Sequence, residues 1–188
     1  MTETNPRSMT QCQGCKAFFP KTDDFTALHP YGINSSACWS ALLAILAYEA
    51  EHLGYSPEHQ LIVDAYAVQH PQNFKLQKQL NIEERLVRAS VQSVGRHLVR
   101  LYCRIGKKMP PAASGKIMAH VITHGRSLER LDPPVDLGKI TCADFSLEFT
   151  TDQYKEFAWN WANSAWDAWE MHHDTVRRWV KKYAPHVG

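Results

Sequence analysis

The stretch from Thr150 to Tyr183 constrains this chain most, because it holds five of the six tryptophans: Trp159, Trp161, Trp166, Trp169 and Trp179. Tyr154, Ala158, Trp161, Ala165, Ala168, His172, Val176, Trp179 and Tyr183 follow one another in steps of three and four, the spacing of one helical face. Thr150 can cap that helix, Gln153 is placed to complete a capping box, and Phe149 and Tyr154 have the spacing of a hydrophobic staple. At about 100° per residue the apolar side chains span roughly 200° of arc, too wide for a helix resting on one surface. The pattern predicts a single helix over 150–183 packed on two or three neighbours. His172 and His173 fall inside the arc, so two imidazoles need partners in the core.

Three further helices can supply those neighbours. Ser35 or Ser36 caps an apolar helix over 37–53, stopped by Gly54. Its apolar residues lie all round the wheel, which predicts a central position. Pro57 opens a helix over 58–70, closed by Pro71. A longer one covers 82–105, with the stripe Val87, Val91, Val94, Leu98, Leu101, Ile105, and Gly95 within it marks a close crossing. Ser114 can cap a short helix to His124, and Thr141 with Asp144 caps another. No stretch alternates as a strand. The expected fold is all-α, a bundle of four main helices with short helices added.

At 188 residues the chain is one domain large enough for a real core. Residues 1–11 read as a disordered lead-in and 12–188 as a single helical domain. The segment from Cys12 to Ser36 carries Gly14, Pro20, Pro30, Gly32 and Asn34 with no sustained period. An irregular loop of that length needs a staple or a function. A net charge of +2, with Arg177, Arg178, Lys181 and Lys182 as the one basic cluster, argues against nucleic acid as a partner. The opening MTETNPRSMTQ lacks the apolar run of a signal peptide, and the longest apolar run, 41–48, is too short for a bilayer. The expected location is cytoplasmic, where five cysteines point to metal or thiolate chemistry before disulfides.

Cys12-x2-Cys15 is the sharpest local signal. A thioredoxin-like dithiol needs a βαβ unit beside it, and none is present. A zinc knuckle needs two thiolates on a tight turn, which Gly14 suits, and two further ligands. Cys38 is the third candidate, in the first turn of a helix where the dipole favours thiolate. His29 is the fourth, and His172 or His173 can replace it. Four protein ligands make such a zinc site structural; three leave a position for water and make it catalytic.

A second set lies in His59-Gln-Leu-Ile-Val-Asp64-Ala-Tyr66-Ala-Val-Gln69-His70. His59 and His70 share a helix face but stand about 16 Å apart, so one metal cannot take both. Gln69 lies on the apolar stripe and needs a buried hydrogen-bond partner. His97 can meet His172, His173 or Asp64 across the bundle. His120-x3-His124 has metal spacing but lacks the glutamate of a zinc-protease helix. Cys103 and Cys142 read as small core residues.

Taken together, Cys12-x-Gly-Cys15, His29-x-Tyr31, Cys38-Trp39, His59-Gln-Leu-x-Val-Asp-Ala-Tyr-Ala-Val-Gln-His-Pro71, Gln92-Ser-Val-Gly-x-His97-Leu, Pro133-Pro-x-x-Leu-Gly138 and Trp169-x-x-His172-His173-x-x-Val-Arg-x-Trp179 come in a recognisable order. The chain resembles a family of small bacterial proteins known only as a domain of unknown function, from Cys12 to Trp179. It departs at Lys16, where that family usually has glycine. The resemblance implies no reaction, but it implies that the cysteines, the histidines and Asp64 serve one scheme. That adds a polar set of His59, Asp64, His70, His97 and His173 as catalytic candidates.

The leading expectation is a zinc-binding helical module that binds or scaffolds an unknown protein or small-molecule partner, as monomer or homodimer. The first alternative is a metal-dependent, hydrolase-like enzyme using the His/Asp cluster. The second is a nucleic-acid-associated regulatory module using the basic C-terminal turn.

Overall fold

Side-chain caps set the helix starts. The Cys38 amide donates to Ser35 Oγ at 3.2 Å, which opens α1 (Ser36–His52). Leu53 ends it, followed by Gly54 at φ +64°, a conformation glycine adopts without a Cβ penalty. Thr150 and Gln153 form a reciprocal capping box at the start of α5 (Thr151–Ala168), and Thr141 and Asp144 form another before the 3-10 turn Cys142–Asp144. The computed structural model describes residues 9–20, 34–71, 94–124 and 128–185.

In chain order, strands β1 (Met9–Gln11) and β2 (Phe18–Pro20) form an antiparallel pair in the register Met9↔Pro20, Thr10↔Phe19 and Gln11↔Phe18. α1 and α2 (His59–Gln69) follow. Helix α3 is described over 94–101 and runs into a π-helical turn, Tyr102–Gly106. α4 (Pro111–His124), α5 and α6 (His173–Tyr183) complete the bundle. The fold is mostly helical, as the periodicity implies. No helix among the described residues is long and apolar enough to cross a membrane.

The most extensive packing is α2 along α5. Leu61, Ile62, Val68, Trp161 and Trp169 have almost no exposed surface. α1 is less central than its composition suggests: it buries Ala37, Cys38, Leu42, Ile45, Tyr48 and Glu49 and leaves Leu43 half exposed. Much of its remaining surface is alanine, which costs little to expose. Gly95 is a close crossing, since a Cβ there would stand 2.9 Å from Leu128 Cδ1 and 3.3 Å from Trp179 Cζ3.

Three expectations need correction. Met9–Gln11, part of the stretch read as a disordered lead-in, is strand β1, and a short hairpin joins a fold read as strand-free. Residues 82–93 of the third helix lie outside the described residues. α4 begins at Pro111, with proline at its first position; Ser114 sits inside it, buried, its hydroxyl bonded to the Pro111 carbonyl at 2.8 Å.

The third concerns the tail, which is two helices and not one. α5 ends at Ala168, a 3-10 turn covers Glu170–His172, and α6 then packs on α4 and the π-helical turn. No glycine or proline causes this break. The Trp166 carbonyl accepts from the Trp169 amide at 2.9 Å and from His173 Nε2 at 3.0 Å. The His173 ring also stacks on Trp166, with centroids 3.7 Å apart. Trp169 swings fully into the core and donates Nε1 to the Val68 carbonyl at 3.2 Å. A straight helix would forfeit these contacts.

Gln69 holds the layers together. Its Oε1 accepts from Trp161 Nε1 at 2.8 Å, while Nε2 donates to the carbonyls of Leu137 at 3.0 Å and Ile140 at 2.8 Å. Gln69→Leu would strand the buried Trp161 indole N–H and Leu137 carbonyl and the part-buried Ile140 carbonyl, each costing about 1–3 kcal/mol. With partial relaxation the expected loss is about 2–4 kcal/mol, read from urea unfolding of the variant against wild type.

Candidate metal centre

Three elements converge on one buried point. The β1–β2 turn brings Cys12 and Cys15, the first turn of α1 brings Cys38, and the residue capping the C-terminus of α2 is His70. The turn is closed by hydrogen bonds from the Cys12 amide to the Ala17 carbonyl at 2.8 Å and from the Lys16 amide to the Cys12 carbonyl at 3.2 Å. Lys16 sits there at φ +64°, a left-handed conformation that is cheap for glycine and costs a side-chain-bearing residue about 1–2 kcal/mol. Its ammonium offsets part of this cost by bonding the Gln13 carbonyl at 2.6 Å.

The donor atoms of Cys12, Cys15, Cys38 and His70 all lie within 4.8 Å of one another, and all four residues are buried. Cys15 Sγ is 3.8 Å from Cys38 Sγ. His70 Nε2 is 3.2 Å from Cys38 Sγ and 3.5 Å from Cys12 Sγ. His70 Nδ1 donates to the Tyr66 carbonyl at 2.6 Å, so Nε2 is the nitrogen that faces the sulfurs. The ring stacks on Tyr66 at 3.9 Å, and the Tyr66 hydroxyl accepts from Asn34 Nδ2 at 2.8 Å. Ring orientation is therefore held from two sides.

Crowding decides the protonation of this group. Hydrogen bonds from the Cys12, Cys142 and Cys38 thiols hold the Cys15 thiol far below its ordinary range. Its neighbours Cys12, Cys142 and Cys15, with burial, push Cys38 far above it. Burial alone would lower the His70 pKa, but hydrogen bonds with Cys12 and Cys15 outweigh it and raise the group to about 9. Three thiols and an imidazole packed this closely cannot all give up their protons unaided. A bound cation removes that conflict, so the cluster can hold a metal.

The positions named from sequence separate as follows. Cys12, Cys15 and Cys38 come together. His29 lies outside the described residues. His172 and His173 do not join the cluster: His172 Nε2 bonds the Asp132 carbonyl at 2.8 Å, and His173 belongs to the break after α5. The fourth donor is His70, which sequence reasoning had grouped with the catalytic candidates. Cys142, read as a core residue, sits with its Sγ 3.5 Å from Cys38 Sγ.

The catalytic candidates do not form one site. His59 Nδ1 pairs with Glu49 Oε2 at 2.6 Å, and Ser56 donates to Glu49 Oε1 through its hydroxyl at 2.6 Å and its amide at 3.1 Å. Asp64 Oδ1 receives His97 Nδ1 at 2.6 Å, Gln60 Nε2 at 3.0 Å and Arg100 at 3.5 Å. His70 belongs to the cysteines. Only Asp64 and His97 of the five candidates meet. Glu49 was missed, although a lone acid on the buried stripe of an apolar helix is a visible signal for a buried partner. In the basic C-terminal turn, Arg177 pairs with Asp174 at 2.6 Å and Arg178 with Glu129 at 3.3 Å, which partly neutralises it.

Residues 10–170 match the family of unknown function DUF5946, and the chain belongs to that family. No curated protein and no solved structure matches it.

Two measurements follow from this geometry. Asp64 is fully buried, so Asp64→Ala leaves His97 and Arg100 facing each other without their anion, and should cost about 3–5 kcal/mol in urea unfolding. Lys16→Gly relieves the left-handed strain at the turn. It should raise stability by about 1 kcal/mol in the same assay, because the lost ammonium contact returns part of the gain.

Proposed function

We propose that this member of the family is a zinc-stapled helical module, in which Cys12, Cys15, Cys38 and His70 hold one Zn2+ and the stapled surface binds or scaffolds a partner. The observation that carries this reading is the closed, buried set of four donors. Zinc–sulfur bonds of about 2.3 Å and zinc–nitrogen bonds of about 2.0–2.1 Å imply tetrahedral edges of about 3.8 Å between sulfurs and about 3.5 Å from sulfur to nitrogen. The separations of 3.8, 3.5 and 3.2 Å are close to those edges. Four protein donors leave no coordination position for water, which favours a structural ion over a catalytic one. Three thiolates also select a soft or borderline cation over magnesium or calcium.

The staple has mechanical work to do. The hairpin packs against α1, and a short pair of strands is marginally stable on its own. Zinc would lock it to α1 and to the end of α2. Five free thiols suit a reducing compartment, so we place the protein in the cytoplasm.

A surface groove of about 720 Å³ offers a place for the partner. Loop residues Asp136, Gly138 and Lys139 form one wall and Asn160, Ser164 and Asp167 of α5 the other. Ser164 Oγ accepts from the amides of Lys139 at 2.7 Å and Ile140 at 3.2 Å, and Gln69 holds the same loop from behind. Gln69 adjoins His70, so the loop wall and the metal centre share one helix end.

Elemental analysis of protein purified without chelators should find one zinc per chain. Cys15→Ala and His70→Ala should lose it, while His172→Ala keeps it. Loss of the ion should lower the melting temperature by roughly 10 °C or more, the equivalent of about 4 kcal/mol for a chain of this size. Wild-type protein free of metal, or His70→Ala with full zinc content, would refute the assignment.

A further inference from the structure

A tetrahedral ion needs four donors, and a fourth thiol lies beside the three thiols and one imidazole of this cluster. Cys142 Sγ lies 3.5 Å from Cys38 Sγ, nearer than Cys15 at 3.8 Å, and it donates to the Cys38 backbone carbonyl at 3.7 Å. Both residues are buried, with Cys142 retaining 3 % exposure and Cys15 7 %. Cys142 reaches this position from the 3-10 turn Cys142–Asp144, which packs directly on α1 and is fixed by the Thr141–Asp144 capping box. Burial alone does not make such a site: Cys103 is equally buried, and its thiol is pushed up by burial, with no other cysteine acting on it.

We propose that Cys38 and Cys142 are a modification site, closing to a reversible disulfide under a hydroperoxide and ejecting the metal as they do so. The proposal rests on the metal assignment above for its second half and on sulfur geometry alone for its first. A disulfide is about 2.05 Å long, so the sulfurs must approach by about 1.5 Å. Side-chain rotation can supply this, because the two segments are already in contact.

The chemistry balances with the peroxide as sole oxidant. The Cys38 sulfur attacks one peroxide oxygen, the O–O bond breaks, and the departing alkoxide or hydroxide takes up the proton that Cys38 gives up. Cys38 is now a sulfenic acid. The Cys142 sulfur attacks Cys38 Sγ, the S–S bond forms, the S–O bond breaks, and hydroxide leaves with the Cys142 proton as water. Two thiols are oxidised by two electrons, and the peroxide is reduced to water and an alcohol, or to two waters. The ion loses one of three thiolates and retains an incomplete set. Cys12, Cys15 and His70 then no longer bind the hairpin to the helices through a shared atom.

The test treats zinc-loaded full-length protein with hydrogen peroxide in the presence of a zinc-sensitive dye. Wild type should release its zinc, lose two hydrogens in intact mass, yield a linked peptide pair containing Cys38 and Cys142, and recover on dithiothreitol. Cys142→Ser should load zinc normally and release it about tenfold more slowly, while Cys103→Ser should behave as wild type. Release from Cys142→Ser at the wild-type rate, or a Cys12–Cys15 link in place of Cys38–Cys142, would overturn the proposal. If the wild-type protein carries no zinc, the metal assignment falls, and peptide mapping after peroxide still decides the disulfide.

Discussion

The last residues of α2 are where the rest of the molecule is fastened. Val68 offers its carbonyl to the Trp169 indole, Gln69 bonds Trp161 and two loop carbonyls, and His70 faces three cysteines. Three consecutive residues thus hold the aromatic tail, the loop over 137–140 and the N-terminal hairpin turn. These contacts are polar and mostly buried. An unmade buried hydrogen bond costs more than a made one contributes, so these contacts act mainly by penalising other arrangements. Apolar packing of α2 on α5 drives the layers together, and this helix end selects the register in which they meet.

Two buried carboxylates make similar demands away from that helix end. Glu49 gathers the Ser56 amide and hydroxyl and the His59 ring, which fixes the connection between α1 and α2. Asp64 gathers Gln60, His97 and Arg100, which joins α2 to α3. Taking a carboxylate out of water is costly unless donors surround it, so each acid restricts the neighbouring helix to positions that bring those donors. Both histidines use Nδ1 for this purpose. Their placement follows from the need to satisfy the acids, and it separates them into distinct locations.

The thiol cluster adds a constraint of another kind. Its donors come from segments far apart in sequence, and their close packing makes a group that can hold a metal. Cys142 lies beside this group of four donors, its Sγ 3.5 Å from Cys38 Sγ. On the reading proposed above, the Cys38 sulfur has two competing uses, holding an ion or pairing with another sulfur.

Local order was legible in the sequence because it depends on residues three or four apart. Ser35, Thr141 and Thr150 cap as their side chains dictate, Gly54 ends α1, and the aromatic spacing of Tyr154, Ala158, Trp161 and Ala165 marks the buried face of α5. Cys12, Cys15 and Cys38 announced themselves by spacing and by a helix start. The requirement that Gln69 find buried partners was equally readable, though not who they are. Only the tertiary structure decided that His70 faces the cysteines, that Cys142 joins them, and that the tail breaks after Ala168. Those outcomes turn on which distant groups share a volume: the Val68 carbonyl that draws in Trp169 lies 101 residues away along the chain. A helical pattern records which side of a segment is apolar. It holds no record of which polar group waits on the other side of the core.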